Sequence, residues 1–438
     1  MNARAKTAEV LPQTIEFKLD SNSVSAYEGE TILKAAKRHG VDIPYLCFKD
    51  GYRADGNCRA CVVEIKGERV LAPSCCRTVT AGMEVEAHSE CAVKSQNMVV
   101  EMLLSDMPDV GYKWNDASGV EKSSGQHGEL SEWAARLNVT VRSGPKALRR
   151  EQPKTDISHP AIAVNLDACI QCNRYVRACR EEQVNDVIDY ALRGAHNKIV
   201  FDLYDDMNDS SCVACGECVQ ACPTGALMPK TQLNSQAIDK KVDSVCPFCG
   251  VSCLLTYNVK DNNIVSVDGR DGPGNHSRLC IKGRYGFDYA TSPQRLTKPL
   301  IRKAGVAKDP AVLEKLNRNS ADWSDVFREA TWEEALNLSG HTLKNLRDLQ
   351  GKKSLVGFES AKGSNEEAYL FQKLVRIGFG SNNVDHCTRL CHASSVAVLL
   401  DVVGSGAVSN QVNDVEHSDL IFIIGSTLPP TIRSPLRG

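Results

Sequence analysis

The sequence predicts a multi-domain protein of mixed α+β and α/β class, a string of small cysteine-bearing modules followed by an open parallel sheet. Three observations carry that reading. Nineteen cysteines in 438 residues fall in groups at 47 to 91, 169 to 222, 246 to 280 and 387 to 391, with cysteine-free stretches between them. Ile15, Phe17 and Leu19 alternate with polar residues, as a half-buried strand does. From Ser354 onward, strand and helix patterns take turns, the rhythm of a parallel sheet whose ligands sit at the carboxyl ends of its strands.

Each element follows in order. After the first strand, EGETILKAAKRHG reads as a short helix ended by Gly40, and ACVVEI, KGER and VLA read as a hairpin. Together they make an α+β unit reaching about Ala87. Val93 to Leu104 is helical, and GYKWNDASGVEKSSGQHGE and SGPKALRREQPKTDISHP read as surface loops or linkers. Alternating strands follow a cysteine loop from about Asp239. The last stretch runs strand LVGF, loop ESAKGS, helix NEEAYLFQKLVRIGFG, loop VDHCTRLCH, helix ASSVAVLLDVV and apolar strand DLIFIIG.

Composition bounds the function classes. Hydrophobic residues make up 42%, charged residues 24%, and the net charge is −2, which suits a soluble globular chain of two to four domains. The densest basic patch, Lys146 to Arg150, is a short solvated face, so no nucleic-acid partner is expected. No run of about 18 apolar residues occurs, and the first 30 residues hold neither a signal-peptide core nor a twin-arginine pair. These features place the protein in the cytoplasm, where thiols stay reduced and cysteine groups signal metal rather than disulfides.

Cys47, Cys58, Cys61 and Cys75 form one close pair with two distant thiols, suited to a [2Fe-2S] cluster; a structural zinc site is the plainer alternative. Gly51 and Gly56 let that loop curl and present N–H groups to sulfur. Cys212, Cys215, Cys218 and Cys222 before Pro223 follow the bacterial ferredoxin spacing. In such modules the fourth cysteine serves the other cluster, so Cys179 joins Cys212, Cys215 and Cys218. By the same rule Cys169, Cys172 and Cys222 need a ligand at 175, where Tyr175 stands. Three outcomes are open: a three-iron cluster, a phenolate ligand, or an empty site; ligand softness favours a labile or three-iron cluster over an ordinary four-iron one. Cys246, Cys249, Cys253 and the distant Cys280 give a further [4Fe-4S] site.

The first module resembles the N-terminal [2Fe-2S] module of the large iron–sulfur subunit of respiratory complex I and of cytoplasmic NAD-dependent formate dehydrogenases. That resemblance implies a β-grasp fold and makes Cys76 a spare thiol. The relatives often continue with a cluster held by one histidine and three cysteines; here only His88 and Cys91 remain, both expected to be structural. The Cys246 to Cys280 motif, with LCIKGRYGFDY, resembles the N-terminal cluster domain of molybdenum and tungsten bis-molybdopterin guanine dinucleotide oxidoreductases, and Lys282 matches their lysine between cluster and pterin. In the formate dehydrogenases of that superfamily a Cys followed by His precedes a helix; Cys391 and His392 match, as metal ligand and proton handler. Cys387 is expected to pack, and His386 to be structural. Asn365 and Glu366 at a helix start, and Gly425 and Ser426 after the apolar strand, correspond to pterin or dinucleotide contacts, although a plain αβ turn would look the same.

The implied layout is 1–90 a [2Fe-2S] domain, 91–155 a helical segment and linker, 156–235 a two-cluster domain, 239–296 a [4Fe-4S] domain and 297–438 a molybdopterin domain with a truncated doubly wound sheet. Where relatives continue after Gly-Ser, this chain reads TLPPTIRSPLRG, as truncation or a shifted frame would produce. The expected function is the catalytic subunit of a formate dehydrogenase, oxidising formate to CO2 at Mo or W and passing electrons to a flavin- and NAD-binding partner. A non-catalytic electron-transfer subunit, or a truncated inactive product, are the alternatives. Sequence does not choose Mo over W.

Overall fold

A computed structural model describes residues 13–107, 113–115, 121–123, 128–141, 155–233, 238–293, 295–317, 322–407 and 410–424. Two compact units are present: Met1–Cys246 with Gly250–Phe287 and Val412–Gly438, and Pro247–Cys249 with Asp288–Gln411.

The first unit opens with β1 (Thr14–Leu19) and β2 (Asn22–Tyr27), an antiparallel hairpin in which Phe17 and Leu19 face the core. Helix α1 (Ile32–Arg38) buries Ile32, Leu33, Ala35 and Ala36; Thr31 caps it by accepting from the Lys34 N–H, and Lys37 and Arg38 meet the carbonyl end. Strands β3 (Val62–Ile65), β4 (Ala72–Pro73) and β5 (Glu84–Glu86) complete a five-stranded sheet of order β2-β1-β5-β3-β4, with β1 and β5 parallel. Helix α2 (Glu90–Ser105) is capped by Ser89, and its buried Gln96 donates to the Val62 and Ala87 carbonyls, fastening the helix to β3. Helix α3 (Glu129–Arg136) packs Leu130 and Trp133 against Leu46 and Val100.

The stretch expected to be a polar loop is not wholly one. Lys113–Asn115 and Glu121–Ser123 pair as an antiparallel hairpin, because backbone pairing can close across a polar turn without an apolar pattern to announce it.

Residues 155–233 form a compact module of two small antiparallel pairs, Ile162–Val164 with Leu227–Pro229 and Ile188–Ala191 with Lys198–Phe201. Its two cysteine motifs fold alike. Each carries left-handed residues at matching places, Gln171 and Asn173 in one, Ala214 and Gly216 in the other, and then a short helix, Arg174–Arg177 or Glu217–Ala221. A three-stranded antiparallel sheet follows, Lys240–Val245, Leu254–Lys260 and Asn263–Gly269, then helix Ile281–Tyr285.

In the second unit, Leu300–Arg302 pairs with Phe327–Glu329, and a long helix, Trp332–Gln350, is capped by Thr331. Gly357–Glu359 and Val384–His386 are parallel, joined through helix Asn365–Lys373, whose Ser364 and Glu367 make a reciprocal capping box. Helices Thr388–Cys391 and Ala393–Val403 follow.

One expected strand does not form among the described residues. Leu420 to Ile424 makes no strand pairing, and Leu420, Phe422 and Ile424 are largely exposed, because an apolar run becomes a strand only where a neighbour offers its ladder. Parallel pairing among the described residues is limited to the contact of β1 with β5 and that of Gly357–Glu359 with Val384–His386, so an extended doubly wound sheet is not seen there.

Two buried arginines join the modules of the first unit. Arg174 donates to the Leu46 carbonyl at 3.0 Å and forms a forked pair with Glu129 at 2.6 and 2.8 Å. Arg177 donates to the Cys47 carbonyl at 2.5 Å and to the Arg53 carbonyl, and its Nε lies 3.1 Å from Asp55. Removing one member of a buried pair leaves its partner uncompensated, so Arg177→Met should cost on the order of 3–5 kcal/mol. Arg53, exposed and also paired with Asp55, should cost about 1 kcal/mol or less on the same change. Anaerobic denaturant unfolding of the two variants checks the contrast.

Candidate iron–sulfur and molybdopterin sites

The loop between α1 and β3 draws together Cys47, Cys58, Cys61 and Cys75, with Cys47, Cys61 and Cys75 fully buried. Cys58 and Cys75 hydrogen-bond to the Cys47 sulfur and hold its thiol well below the usual range, and the Cys75 contact brings Cys61 down to about 7. The Cys47 N–H donates to the Cys58 sulfur at 3.4 Å. The sulfurs thus link as a chain, and among the described residues no three His, Cys, Asp or Glu side chains converge on one point as a single ion requires. Four soft donors, three of them buried and Cys58 half-buried, with a backbone N–H to sulfur fit an iron–sulfur cluster. Cys76 is exposed, its sulfur 3.5 Å from that of Cys75. His88 is held by Asp20, Nδ1 to carboxylate at 2.7 Å, and Cys91 lies exposed on α2.

In the paired module, Cys179, Cys212, Cys215 and Cys218 line one pocket with Val187, Ile188 and Met207, the grouping the crossed ferredoxin rule expects. Burial pushes these thiols up, Cys215 to about 11, so a bare thiolate is costly there and iron would offset the cost. The Val187 and Ala214 N–H groups donate to the sulfurs of Cys179 and Cys212 at 3.4 Å each. Tyr285, a buried phenol without a hydrogen-bond partner, stands beside this pocket, where a cluster sulfur would accept from it. Gly216 is obligatory: at φ +72°, any Cβ would run into Arg284 and Tyr285.

Cys169, Cys172 and Cys222 occupy the matching place in the other motif. Tyr175 is buried, with its hydroxyl 2.7 Å from the Cys169 sulfur. Burial, then the neighbouring Cys169, raises its phenol far above the ordinary range. Here the residues do not fit a four-thiolate cluster.

A hydrogen-bonded line crosses these modules. Tyr52 donates to Glu217 at 2.8 Å, Glu217 accepts from Arg284 at 3.3 Å, and the Arg284 Nε donates to the Cys215 carbonyl at 3.2 Å. Beside it the Lys49 ammonium donates to the Gln220 carbonyl at 2.7 Å, and burial brings its pKa down to about 8. Sequence gave no hint of this network, because its partners are up to 171 residues apart.

In the Cys246 motif, the Cys246 N–H donates to the Cys253 carbonyl at 2.9 Å, and Gly283, on the helix after Cys280, lies against the Cys246 sulfur. Asn275 braces the loop by donating to the carbonyls of Leu254, Arg270 and Arg278. Cys249 is exposed, as is Lys282 on helix Ile281–Tyr285.

In the second unit, Cys391 ends helix Thr388–Cys391 and His392 precedes Ala393–Val403; both side chains are exposed. Asn365 and Glu366 open their helix at its capping box, also exposed. His386 accepts from the Thr388 N–H at 3.2 Å, starting the turn that carries Cys391. Cys387 departs from the packing role expected of it: it is exposed, and its sulfur accepts from the Ala361 N–H at 3.3 Å, since a residue at a strand-to-helix corner has little core to enter. Gly425 and Ser426 lie outside the described residues.

Residues 12–90 match the family of 2Fe-2S iron-sulfur cluster binding domains, 168–226 the 4Fe-4S dicluster domain, 239–292 the molybdopterin oxidoreductase Fe4S4 domain and 295–434 the molybdopterin oxidoreductase family. Region by region, the chain is thus similar to iron–sulfur cluster domains and to molybdopterin oxidoreductases. It is 29% identical over 444 residues to "Probable oxidoreductase YjgC" of Bacillus subtilis (strain 168), covering 92% of this chain and 42% of that protein. To "Putative formate dehydrogenase SH0748" of Staphylococcus haemolyticus (strain JCSC1435) it is 27% identical over 462 residues, covering 93% and 42%. The chain therefore spans 42% of the length of these curated relatives. Among solved structures it is similar to a chain of an NAD+-reducing [NiFe]-hydrogenase in the H2-reduced state, at 26% identity and a TM-score of 0.45, covering 52% of this chain and 92% of that one. No helix among the described residues is long and apolar enough to cross a membrane.

Lys49 supplies a pH test. Its folded pKa is depressed to about 8, so above that pH the unfolded chain holds the extra proton until the ordinary lysine value near 10.4 is passed. Stability contributed by this group therefore rises with pH across that window. Melting temperatures of wild type and Lys49→Met should diverge in favour of wild type as pH climbs from 7.5 towards about 10; a constant difference would contradict the placement of the ammonium.

Proposed function

We propose that this chain is the iron–sulfur and catalytic part of a cytoplasmic enzyme that oxidises formate to CO2 and delivers the electrons, through a separate flavin- and NAD-binding partner, to NAD+. The observation that carries the reading is the Cys391-His392 pair, set between two helices after the strand Val384–His386 within the stretch that matches molybdopterin oxidoreductases. The name of the staphylococcal relative carries the same substrate. The flavin- and NAD-binding partner follows from the resemblance of residues 1–90 to the module of NAD-dependent formate dehydrogenases.

Oxidation of formate releases one proton and two electrons with CO2. A molybdenum or tungsten centre on bis-molybdopterin guanine dinucleotide, when bound, supplies the two-electron acceptor. Cys391 offers a soft sulfur ligand suited to that metal. The exposed imidazole of His392 would take the proton. The first turn of helix Asn365–Lys373, with Asn365 and Glu366, presents N–H groups and polar side chains suited to a pterin or its phosphates. Lys282, two residues after Cys280, would add a cation there. Cys47, Cys58, Cys61 and Cys75, then Cys179, Cys212, Cys215 and Cys218, and then Cys246, Cys249, Cys253 and Cys280 would hold the one-electron sites.

In the complete enzyme, Cys391→Ala should abolish formate-dependent dye reduction. His392→Ala should lower kcat by roughly 10²–10⁴. Retention of full activity by the Cys391 variant would refute the assignment.

A further inference from the structure

We propose that Cys169, Cys172 and Cys222 form a three-thiolate site that takes a cluster of three irons rather than four, with Tyr175 at the fourth position hydrogen-bonding the Cys169 sulfur instead of binding iron. This rests on the 4Fe-4S dicluster reading of residues 168–226, and not on formate as the substrate.

The loop is still shaped for a cluster. Gln171 and Asn173 hold left-handed conformations at φ 52° and 67°, matched by Ala214 and Gly216 at 54° and 72° in the motif with all its cysteines. Left-handed backbone costs a non-glycine residue energy, and it persists where the surroundings impose it. The donors to sulfur also correspond: the Gln171 N–H lies 3.3 Å from the Cys169 sulfur, as the Ala214 N–H lies 3.4 Å from that of Cys212. Position 175, second in its helix, therefore stands where Cys218 stands in the other motif.

The side chain there does not replace a thiol. A cysteine sulfur is one bond from Cβ, whereas the phenolic oxygen lies beyond a whole ring. That ring carries its hydroxyl across to the Cys169 sulfur. Tyr175 is 2% exposed, and its neighbours Arg174 and Arg177 are fixed to the Leu46 and Cys47 carbonyls. The sulfurs of Cys169 and Cys172 in a cluster-shaped loop, with Cys222 packed into the same side-chain cluster as Cys169 and a hydroxyl hydrogen-bonded to the Cys169 sulfur, are what remains for iron.

The test uses the full chain, purified anaerobically and loaded with ferrous iron and sulfide. When oxidised, thiolate-held two-iron and four-iron clusters are silent in electron paramagnetic resonance, whereas an oxidised three-iron cluster is paramagnetic. The oxidised wild type should show about one spin per chain. Tyr175→Cys should lose at least roughly 90% of that signal while gaining about one iron atom per chain. Tyr175→Phe, which keeps the ring, should retain the signal with a shifted reduction potential. Loss of the signal in Tyr175→Phe, with a phenolate-to-iron absorption band in wild type, would show that Tyr175 binds iron and overturn the proposal. A wild type silent when oxidised, yet showing the reduced signal of the Cys179, Cys212, Cys215 and Cys218 cluster, would overturn it too. Absence of that reduced signal as well would remove the dicluster reading along with the proposal.

Discussion

The first unit depends on two guanidinium groups carried one helical turn apart. Arg174 and Arg177 enter the cysteine loop from the neighbouring module and bond to successive carbonyls, those of Leu46 and Cys47. Both side chains are out of water, so their charges are tolerable only while Glu129, Asp55 and those carbonyls stay in place. That requirement works in both directions: it fixes the backbone that presents Cys47, and it fixes the turn that carries Tyr175 and leads to Cys179. Geometry at one set of thiols is thereby tied to geometry at the others. Glu217 extends the arrangement, receiving Tyr52 from one side and Arg284 from the other, and so connects the helix after Cys280 to the Cys215 backbone.

Much of this was legible in the chain because cysteine spacing is a covalent constraint. Thiols two residues apart must face one loop, and the paired motifs predict the grouping of Cys179 with Cys212, Cys215 and Cys218 that lines the pocket. Strand β1, helix α1 and the helix after Ser364 were readable from alternation and capping residues. Other features left no local mark. The hairpin of Lys113–Asn115 with Glu121–Ser123 lies in a polar stretch that reads as loop. Conversely, the run from Leu420 to Ile424 has the composition of a strand and no pairing, since composition cannot supply a neighbour. The position of Cys387 was misread because an apolar-looking thiol at a corner can as readily accept a backbone hydrogen bond as enter a core.

The polar network was the least legible part. Tyr52 and Glu217 are separated by 165 residues, and Arg174 and Leu46 by 128, so no window along the chain contains both partners. A buried Glu or Arg is a strong structural signal once seen, because it is so seldom left unpaired. In sequence the same residues look like ordinary surface charge.

Cys47, Cys61 and Cys75 have no exposed surface. Anything that is to reach those three sulfurs must therefore do so before the loop closes over the sheet or during a local opening of it, whereas Cys58, partly exposed, stays within reach from outside.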